Sequence, residues 1–406
     1  MGQQCTSSSS IIPEELIQKI PKIIFTRYLY VKDEVKLTLL ICILNKNEKS
    51  LFWAYELYHS GFENELFDFL WKIYFDFYYT LNPSFYDYFV KRHKEWKKIA
   101  IGIQKDKIIN IIVNNLMIRP SNIDVFLLRQ IVNYSDFKLH DITGMHIMLE
   151  GLEFINFKKL TEWFNNKEYI NISNFVLNVC KEKHIDELLM FVNSYFKKQS
   201  NNDKKILEYK MHMHMHNISV QQRHTILAYI IMQFTILEED IRMGKKLYVR
   251  VDEEETKIHE TIQSDHNACF YPYKILPKAC VNSIDENNYL SLFKLQRDSI
   301  DLQNAYFNHW EYYAAYSPIW FERIKKYKGI INHSTRKVDF PTDELLEAFY
   351  DEYNYETDEQ TLDTQLKSIQ EIVTTRTWKQ FYETRKQSGI FNPNIELFDL
   401  FVKLEY

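Results

Sequence analysis

Hydrophobic residues recur along most of this chain at intervals of three and four positions, which is the spacing of an amphipathic α-helix. Turn residues separate these stretches: Gly61 follows the stretch at 48–60, and Pro83 follows the stretch at 62–79. Pro13 and the two glutamates after it favour a further helix start near the beginning of the chain. The pattern therefore predicts helices of about 10 to 18 residues, joined by short turns into antiparallel hairpins.

The same pattern continues through the rest of the chain, with one exception. Further helices are predicted at 35–44, 107–116, 122–132, 152–164, 172–180, 186–196, 221–243, 289–307, 318–327, 343–353, 361–374 and 378–386. The exception is the strand-like run KLYVRV at 246–251, which allows at most a small β-hairpin near residues 246–260. We therefore expect an all-α fold, either a multi-helix bundle or an irregular α-solenoid of helical hairpins.

A polar run divides the chain near its middle. The sequence KKQSNNDKK at 197–205 has no hydrophobic anchor and is the best candidate for a linker. This run predicts an N-terminal helical domain at 11–197 and a C-terminal, mainly helical domain at 205–406. Residues 1–10, which end in four consecutive serines, are expected to form a flexible tail.

The composition agrees with a large helical core. Hydrophobic residues make up 46% of the 406 residues, and 28 Tyr and 28 Phe contrast with only 8 Gly and 9 Pro. The longest apolar runs are about half as long as a bilayer-spanning helix, so we expect neither such a helix nor a signal peptide. The five cysteines are scattered without a C-x-x-C pair, which is typical of reduced cytosolic thiols. A net charge of −5 argues against a general nucleic-acid binder.

The first six residues, MGQQCT, match the acceptor pattern for N-myristoylation at Gly2. One myristoyl chain binds a membrane only weakly and reversibly, so stable attachment needs a second signal. Cys5 stands where a palmitoyl chain is often added, and it would supply that signal. We therefore expect an acylated protein on the cytoplasmic face of a membrane. The alternative is an unmodified tail on a cytoplasmic protein.

Three histidines alternate with methionines in the run KMHMHMH at 210–216. On a strand, His212, His214 and His216 share one face, whereas on a helix only the first and third lie one turn apart. Imidazoles so arranged can bind Zn²⁺ or Cu²⁺, and the methionine sulfurs suit Cu⁺. The candidates for a further ligand are His224, His259, His266 and Cys269. The alternative is that these are ordinary side chains at a helix start; no other cofactor is predicted.

A basic cluster lies beyond Pro83. Its residues are Lys91, Arg92, Lys94, Trp96, Lys97 and Lys98. On a helix, Phe85, Phe89 and Trp96 fall on one stripe, and the lysines at 91, 94 and 98 line another. Such a face can bind an anionic membrane surface, or RNA phosphates with Trp96 as a stacking ring. An ordinary solvated helix face is the third interpretation.

Familiar catalytic motifs are missing from the sequence. Its 8 glycines form no G-x-G-x-x-G or G-x-x-x-x-G-K-[ST] loop for phosphates. The sequence also has no H-E-x-x-H and no G-x-S-x-G. We therefore predict no catalytic residues and favour an interaction or scaffold protein over an enzyme. Unidentified protein partners are expected, and nucleic acid is not.

Three stretches of the chain carry a resemblance to a known group of proteins. They are LFWAYELYHSGFENELFDFLWKIYFDFYYTLNP (51–83), RHTILAYIIMQFTILEEDIRMGKKLYV (223–249) and YYAAYSPIWFERI (312–324). Over most of residues 30–330 the chain resembles uncharacterised proteins encoded by giant nucleocytoplasmic large DNA viruses. The resemblance implies a viral origin and a place in an infected cell's cytoplasm or in a virion, and it transfers no catalytic residue.

These expectations combine into a membrane-anchored, helical interaction or scaffold protein on the cytoplasmic face of a host or virion membrane. It would serve as a viral structural protein or as a host-interaction factor. The alternative is a metal-binding protein or metal-dependent enzyme that uses His212, His214 and His216. A further alternative is a nucleic-acid-associated viral factor that uses the basic face at 91–98.

Overall fold

A computed structural model describes most of the chain between residues 21 and 395. The described residues are 21, 23–100, 102–132, 144–149, 152–199, 218–237, 240–241, 249–259, 280–281, 293–294, 301–353, 357, 361–367, 369 and 395. Helices account for most of them, so the predicted all-α class is confirmed. Within these residues no helix combines the length and the apolar character that crossing a membrane requires.

Up to residue 132 the described chain is a succession of helices and short turns. The helices are α1 (Lys32–Leu44), α2 (Ser50–His59), α3 (Glu63–Ile73), α4 (Phe85–Lys98), α5 (Ile103–Met117) and α6 (Asp124–Val132). A π-helical turn, Tyr74–Tyr78, continues α3. Gly61 ends α2 as predicted: at a φ of +90° its N–H donates to the Tyr58 carbonyl at 3.0 Å, and the next N–H reaches the Leu57 carbonyl at 3.1 Å.

A β-hairpin and a second group of helices follow. The hairpin pairs β1 (His146–Leu149) with β2 (Leu152–Ile155) in antiparallel order. The helices are α7 (Phe157–Asn165), α8 (Tyr169–Asn174) with a π-helical turn (Phe175–Val179), a 3₁₀ turn (Glu182–His184), α9 (Ile185–Gln199), α10 (Ile218–Thr235) and α11 (Glu253–Lys257).

The structure corrects one prediction in this region and bears on a second. The helix predicted at 152–164 begins only at Phe157, because the Asn156 side chain accepts a hydrogen bond from the Lys159 N–H at 3.2 Å and caps it there. The residues before it form β2 instead. The sequence allowed a hairpin near residues 246–260. The described part of that region, 249–259, contains no strand; it contains α11, which Asp252 caps.

The C-terminal part combines helices with two further strand pairs. The elements are β3 (Cys280–Val281) parallel to β4 (Phe293–Lys294), α12 (Leu302–Ala314), α13 (Pro318–Lys326), β5 (Ile330–Asn332) antiparallel to β6 (Lys337–Asp339), α14 (Asp343–Tyr353) and α15 (Leu362–Gln365). The helix predicted at 289–307 begins only at Leu302, since Asp301 caps it by accepting from the Asn304 N–H at 2.9 Å. The helix predicted at 343–353 is confirmed.

One hydrophobic cluster, rich in aromatic rings, extends from Ile23 to Ile395. Within this cluster, two hydrogen bonds join the first described segment to α12 and α13. The Trp320 indole N–H on α13 donates to the Thr26 carbonyl at 3.1 Å, and the Phe25 N–H donates to the Tyr313 carbonyl at 3.3 Å. The first described segment is therefore packed against the C-terminal helices.

The predicted linker at 197–205 is only partly described. Its first three residues are helical, because α9 continues to Gln199, and the remainder lies outside the described residues. Phe196 on α9 contacts α10 beyond the linker: its ring centroid lies 4.9 Å from that of Phe234 and 6.3 Å from that of Tyr229. Both sides of the linker thus share hydrophobic packing, and the division into two domains stays a prediction.

Candidate functional site

The basic cluster lies on α4, which is amphipathic as the sequence pattern predicts. Phe85, Phe89 and Trp96 are buried along one side of the helix. The Phe89 ring stacks on Trp71 of α3, with ring centroids 3.7 Å apart and planes inclined by 8°. These contacts fix the rotation of α4 about its own axis. They also decide which of its residues face solvent.

Four lysines occupy the opposite side of α4. Lys91, Lys94, Lys97 and Lys98 are exposed, as is the acidic Asp87 near the helix start. Arg92 forms an ion pair with Glu95 on the same helix: its Nη1 lies 2.7 Å from Glu95 Oε2. The exposed side therefore carries four positive charges and one negative charge, a surplus of three. We call Lys91, Lys94, Lys97 and Lys98 the lysine face.

Trp96 does not belong to this exposed surface. Its side chain is only 6% exposed, and its indole N–H donates to the Tyr58 hydroxyl at 3.1 Å. The ammonium group of Lys105 lies 4.5 Å from the ring centroid. The prediction of Trp96 as a contact residue is therefore corrected: its ring is a packing element and is not presented to a base or a lipid.

Several predicted site residues lie outside the described residues. They are Gly2, Cys5, His212, His214, His216, His266 and Cys269. Of the remaining metal-ligand candidates, His224 is on α10, whereas His259 stacks on Tyr55 with ring centroids 4.9 Å apart. No group of three or more His, Cys, Asp or Glu side chains is arranged to hold a metal within the described part. The metal prediction for residues 212–216 stays untested.

The structure reveals a second polar site that the sequence reasoning missed. Asp76 lies in the π-helical turn after α3, and its carboxylate accepts a forked pair of hydrogen bonds from Arg129 of α6. Arg129 Nε lies 3.0 Å from Oδ1, and Nη2 lies 2.8 Å from Oδ2. The exposed fractions are only 2% for Asp76 and 6% for Arg129. The two side chains therefore form a buried, forked ion pair.

The charges of this pair act on the titration of Lys72 and His224. The pKa of Lys72 is lowered to about 8, first by the nearby positive charge of Arg129 and second by burial. Burial lowers the pKa of His224 to about 4, and the charges that act on it are those of Asp76, Arg129 and Lys72. We call Lys72, Asp76, Arg129 and His224 the Asp76 cluster. Perturbed titration around a π-helical turn is common at functional sites.

A weak sequence signal for this cluster exists. Lys72 and Asp76 are four residues apart in the aromatic run LWKIYFDFYY, and Arg129 interrupts the apolar run VFLLRQIV. Charged residues inside otherwise apolar helical stretches need partners when they are buried. The identity of the partners depends on how α3, α6 and α10 pack, which no local pattern contains.

The relation of this chain to other proteins adds no functional assignment. No protein-family model, no curated protein and no solved structure matches it. The lysine face and the Asp76 cluster therefore have to be interpreted from their own chemistry. The first is an exposed basic surface, and the second is a buried Asp76–Arg129 ion pair whose charges act on Lys72 and His224.

Proposed function

We propose that this protein binds the surface of an anionic membrane through its lysine face and serves there as a helical scaffold for protein partners. Acyl chains at Gly2 and Cys5 would tether it. The resemblance to giant-virus proteins implies that the membrane is one of an infected cell or of a virion. This proposal continues the sequence-based hypothesis and locates its electrostatic contact on α4.

The observation that carries the proposal is the exposure of four lysines opposite the buried side of α4. Basic residues near an anionic leaflet contribute about 1 kcal/mol each. A single myristoyl chain gives only marginal binding, so a basic surface is the kind of second signal that it needs. The rigid attachment of α4 through Phe89 and Trp71 presents the lysines together, at little further cost in conformational freedom.

A membrane suits this surface better than a nucleic acid does. Single-stranded nucleic acid is usually bound by a basic groove with aromatic rings on which bases stack. The Trp96 ring next to the lysine face is buried and covered by Lys105.

Vesicle sedimentation of the full chain tests the lysine face. We expect binding to vesicles that contain phosphatidylserine and much weaker binding to phosphatidylcholine alone. Lys91→Glu combined with Lys94→Glu should weaken binding by roughly tenfold or more, given about 1 kcal/mol for each charge lost. The matched control is Lys325→Glu with Lys328→Glu, which reverses two exposed lysines on α13 and in the turn after it.

Equal weakening by both double variants would show that net charge and not the lysine face controls binding. Retention on RNA that is lost with the α4 variant, without any vesicle binding, would instead favour the nucleic-acid alternative. The tether is tested separately by intact-mass measurement of protein made in eukaryotic cells. Removal of Met1 and addition of a myristoyl group are expected, and Gly2→Ala should release the protein from the membrane fraction.

A further inference from the structure

We propose that His146, His184 and Glu153 form a binding site for a divalent transition-metal ion, with Zn²⁺ as the best match. The site lies where the β1–β2 hairpin meets the 3₁₀ turn before α9. It is independent of membrane binding by the lysine face, and it is separate from the histidine run at 212–216.

The hairpin places two of the three donors on one face. His146 is paired with Ile155 across the two strands, and Glu153 stands two residues before Ile155 on β2. Side chains two residues apart on a strand lie on the same face of the sheet. The 3₁₀ turn brings His184 to this face: its Nε2 lies 3.8 Å from Glu153 Oε2, and its ring centroid lies 5.8 Å from that of His146.

Each of the two imidazoles has a nitrogen that the described chain leaves unused. The Nε2 atoms of His146 and His184 are both buried, and neither has a hydrogen-bond partner. His184 as a whole is only 4% exposed, whereas His146 is partly exposed and leaves a route for an ion to enter. Buried polar atoms without partners are rare, and each one calls for a ligand or a water.

Glu187 fixes which nitrogen of His184 is free to bind a metal. The Nδ1 atom of His184 lies 3.1 Å from Glu187 Oε2. Because a carboxylate can only accept a hydrogen bond, Nδ1 carries the proton, and Nε2 of the neutral ring presents a lone pair. A carboxylate that accepts from the far nitrogen of the ring is the usual partner of a metal-binding histidine, since it holds the tautomer and the ring orientation.

The spacing of the three side chains is close to that of a tetrahedral zinc site. Two imidazoles that bind one zinc ion have ring centroids about 5–6 Å apart, given the Zn–N bond length, and those of His146 and His184 are 5.8 Å apart. Two donor atoms of one tetrahedral site lie about 3.3 Å apart, so His184 Nε2 and Glu153 Oε2, at 3.8 Å, need a shift of about 0.5 Å. Two histidines and one glutamate are a donor set that zinc accepts.

Glu153 is the donor that has to move, because two lysines compete for it. Lys181 Nζ lies 2.6 Å from Oε1, and Lys183 Nζ lies 3.0 Å from Oε2. The lysine side chains are 54% and 59% exposed, so these ion pairs are weak and both ammonium groups can turn into solvent. This competition agrees with the lack of a ready three-ligand group within the described residues.

Calorimetric titration of the untagged full chain with Zn²⁺ tests the site. The run at 212–216 is a separate metal candidate, so its three histidines are first replaced by glutamine, and this triple variant is the reference. We expect the reference to bind one Zn²⁺ per chain, and His184→Gln to weaken that binding by about tenfold or more. The matched control is Glu182→Gln, which alters an exposed side chain of the same 3₁₀ turn and should stay within about twofold.

Two outcomes of this titration would overturn the proposal. One is the absence of saturable Zn²⁺ binding once the run at 212–216 is replaced. The other is equal affinity in the reference and in His184→Gln. Lys183→Met tests the third ligand: it should tighten binding, because a competitor for Glu153 Oε2 is removed. Unchanged or weaker binding by Lys183→Met would contradict Glu153 as a ligand.

A measurement on the unaltered chain covers the case in which His184→Gln fails to fold. Hydrogen–deuterium exchange followed by peptide mass spectrometry reports how Zn²⁺ changes the opening of each segment. Bound Zn²⁺ should slow exchange in the β1–β2 hairpin and in the 3₁₀ turn at 182–184, and it should leave α4 unchanged. Identical exchange of the hairpin with and without Zn²⁺ would count against the site.

Discussion

At the scale of single residues, two glutamates in very different surroundings show how burial changes the contribution of an ion pair to stability. Arg27 Nε lies 2.9 Å from Glu56 Oε2, and the Tyr28 N–H donates to the other carboxylate oxygen at 3.0 Å. The Glu56 side chain is 0% exposed. Glu65 accepts from Lys32 and Lys36, and its side chain is 44% exposed. Removing one partner of a buried pair leaves a charge without water or counter-ion.

We expect Glu56→Gln to lower the free energy of unfolding by about 3 kcal/mol or more, since the buried Arg27 guanidinium loses its counter-ion. Glu65→Gln is the matched control and should lower it by less than about 1 kcal/mol, because water screens its pairs. Urea denaturation followed by far-ultraviolet circular dichroism measures both. Similar losses in the two variants would contradict the assignment of the Arg27 pair to the core.

At the scale of elements, Gly61 has two roles: it ends α2, and it lies against the start of α13. The sequence predicted that Gly61 ends α2, and the structure confirms it. The structure adds that the same turn presses against the start of α13. A Cβ atom built on Gly61 would lie 2.5 Å from the Cβ of Pro318, and the Ile319 N–H donates to the Ser60 carbonyl at 3.2 Å. A side chain at 61 would force the two elements apart.

Gly61→Ala should therefore lower the free energy of unfolding by about 2–4 kcal/mol, through a strained positive φ together with overpacking against Pro318. Gly144→Ala is the control: its φ is +84°, and nothing lies within 4 Å of a Cβ built there. Only the backbone contribution, about 1–2 kcal/mol, is expected for it. Thermal unfolding of the two variants gives the comparison, and equal losses would argue against close contact between this turn and α13.

Elements were predictable where their signals are local. The end of α2 at Gly61 and the amphipathic pattern of α4 depend on a few neighbouring residues, and they were predicted correctly. The helix predicted at 221–243 ends earlier, at Thr235. The strand β2 was not predicted, because Leu152–Ile155 has the hydrophobic character of the helix after it and only pairing with β1 makes it a strand. Trp96 was placed on the correct stripe, yet its burial under Lys105 and against Tyr58 needed the neighbouring helices.

At the scale of the whole molecule, three histidines from distant parts of the chain are held neutral by the packed structure. Burial is the first cause in each case. It lowers the pKa of His59 to about 3, with help from Arg27, and that of His259 to about 4. For His224 in the Asp76 cluster the pKa is also about 4. In the unfolded chain each would titrate near 6.5.

Acid should consequently destabilise the fold between about pH 6.5 and pH 4. Below pH 6.5 the unfolded chain binds protons that the folded chain excludes, so stability is full above about pH 6.5 and falls as the pH drops toward about 4. Denaturant titrations at pH 7 and pH 5 would show it. His59→Phe keeps a ring beside Tyr55 and removes one titrating group, so its difference between the two pH values should be smaller. Equal stability of the wild type at both pH values would contradict this.

The sequence by itself determined the helical class, most helix positions and the presence of basic and acylation-like motifs. These depend on side-chain periodicity and on Gly, Pro and capping residues, whose effects extend over one or two helical turns. Only the tertiary structure decided which charged side chains are exposed to solvent and which form ion pairs. Lys94 and Lys72 both lie on helices with apolar faces, yet Lys94 is exposed, whereas Lys72 is partly buried and the charge of Arg129 lowers its pKa. The reason is that burial of a charge depends on the helices packed over it, and those come from distant parts of the chain.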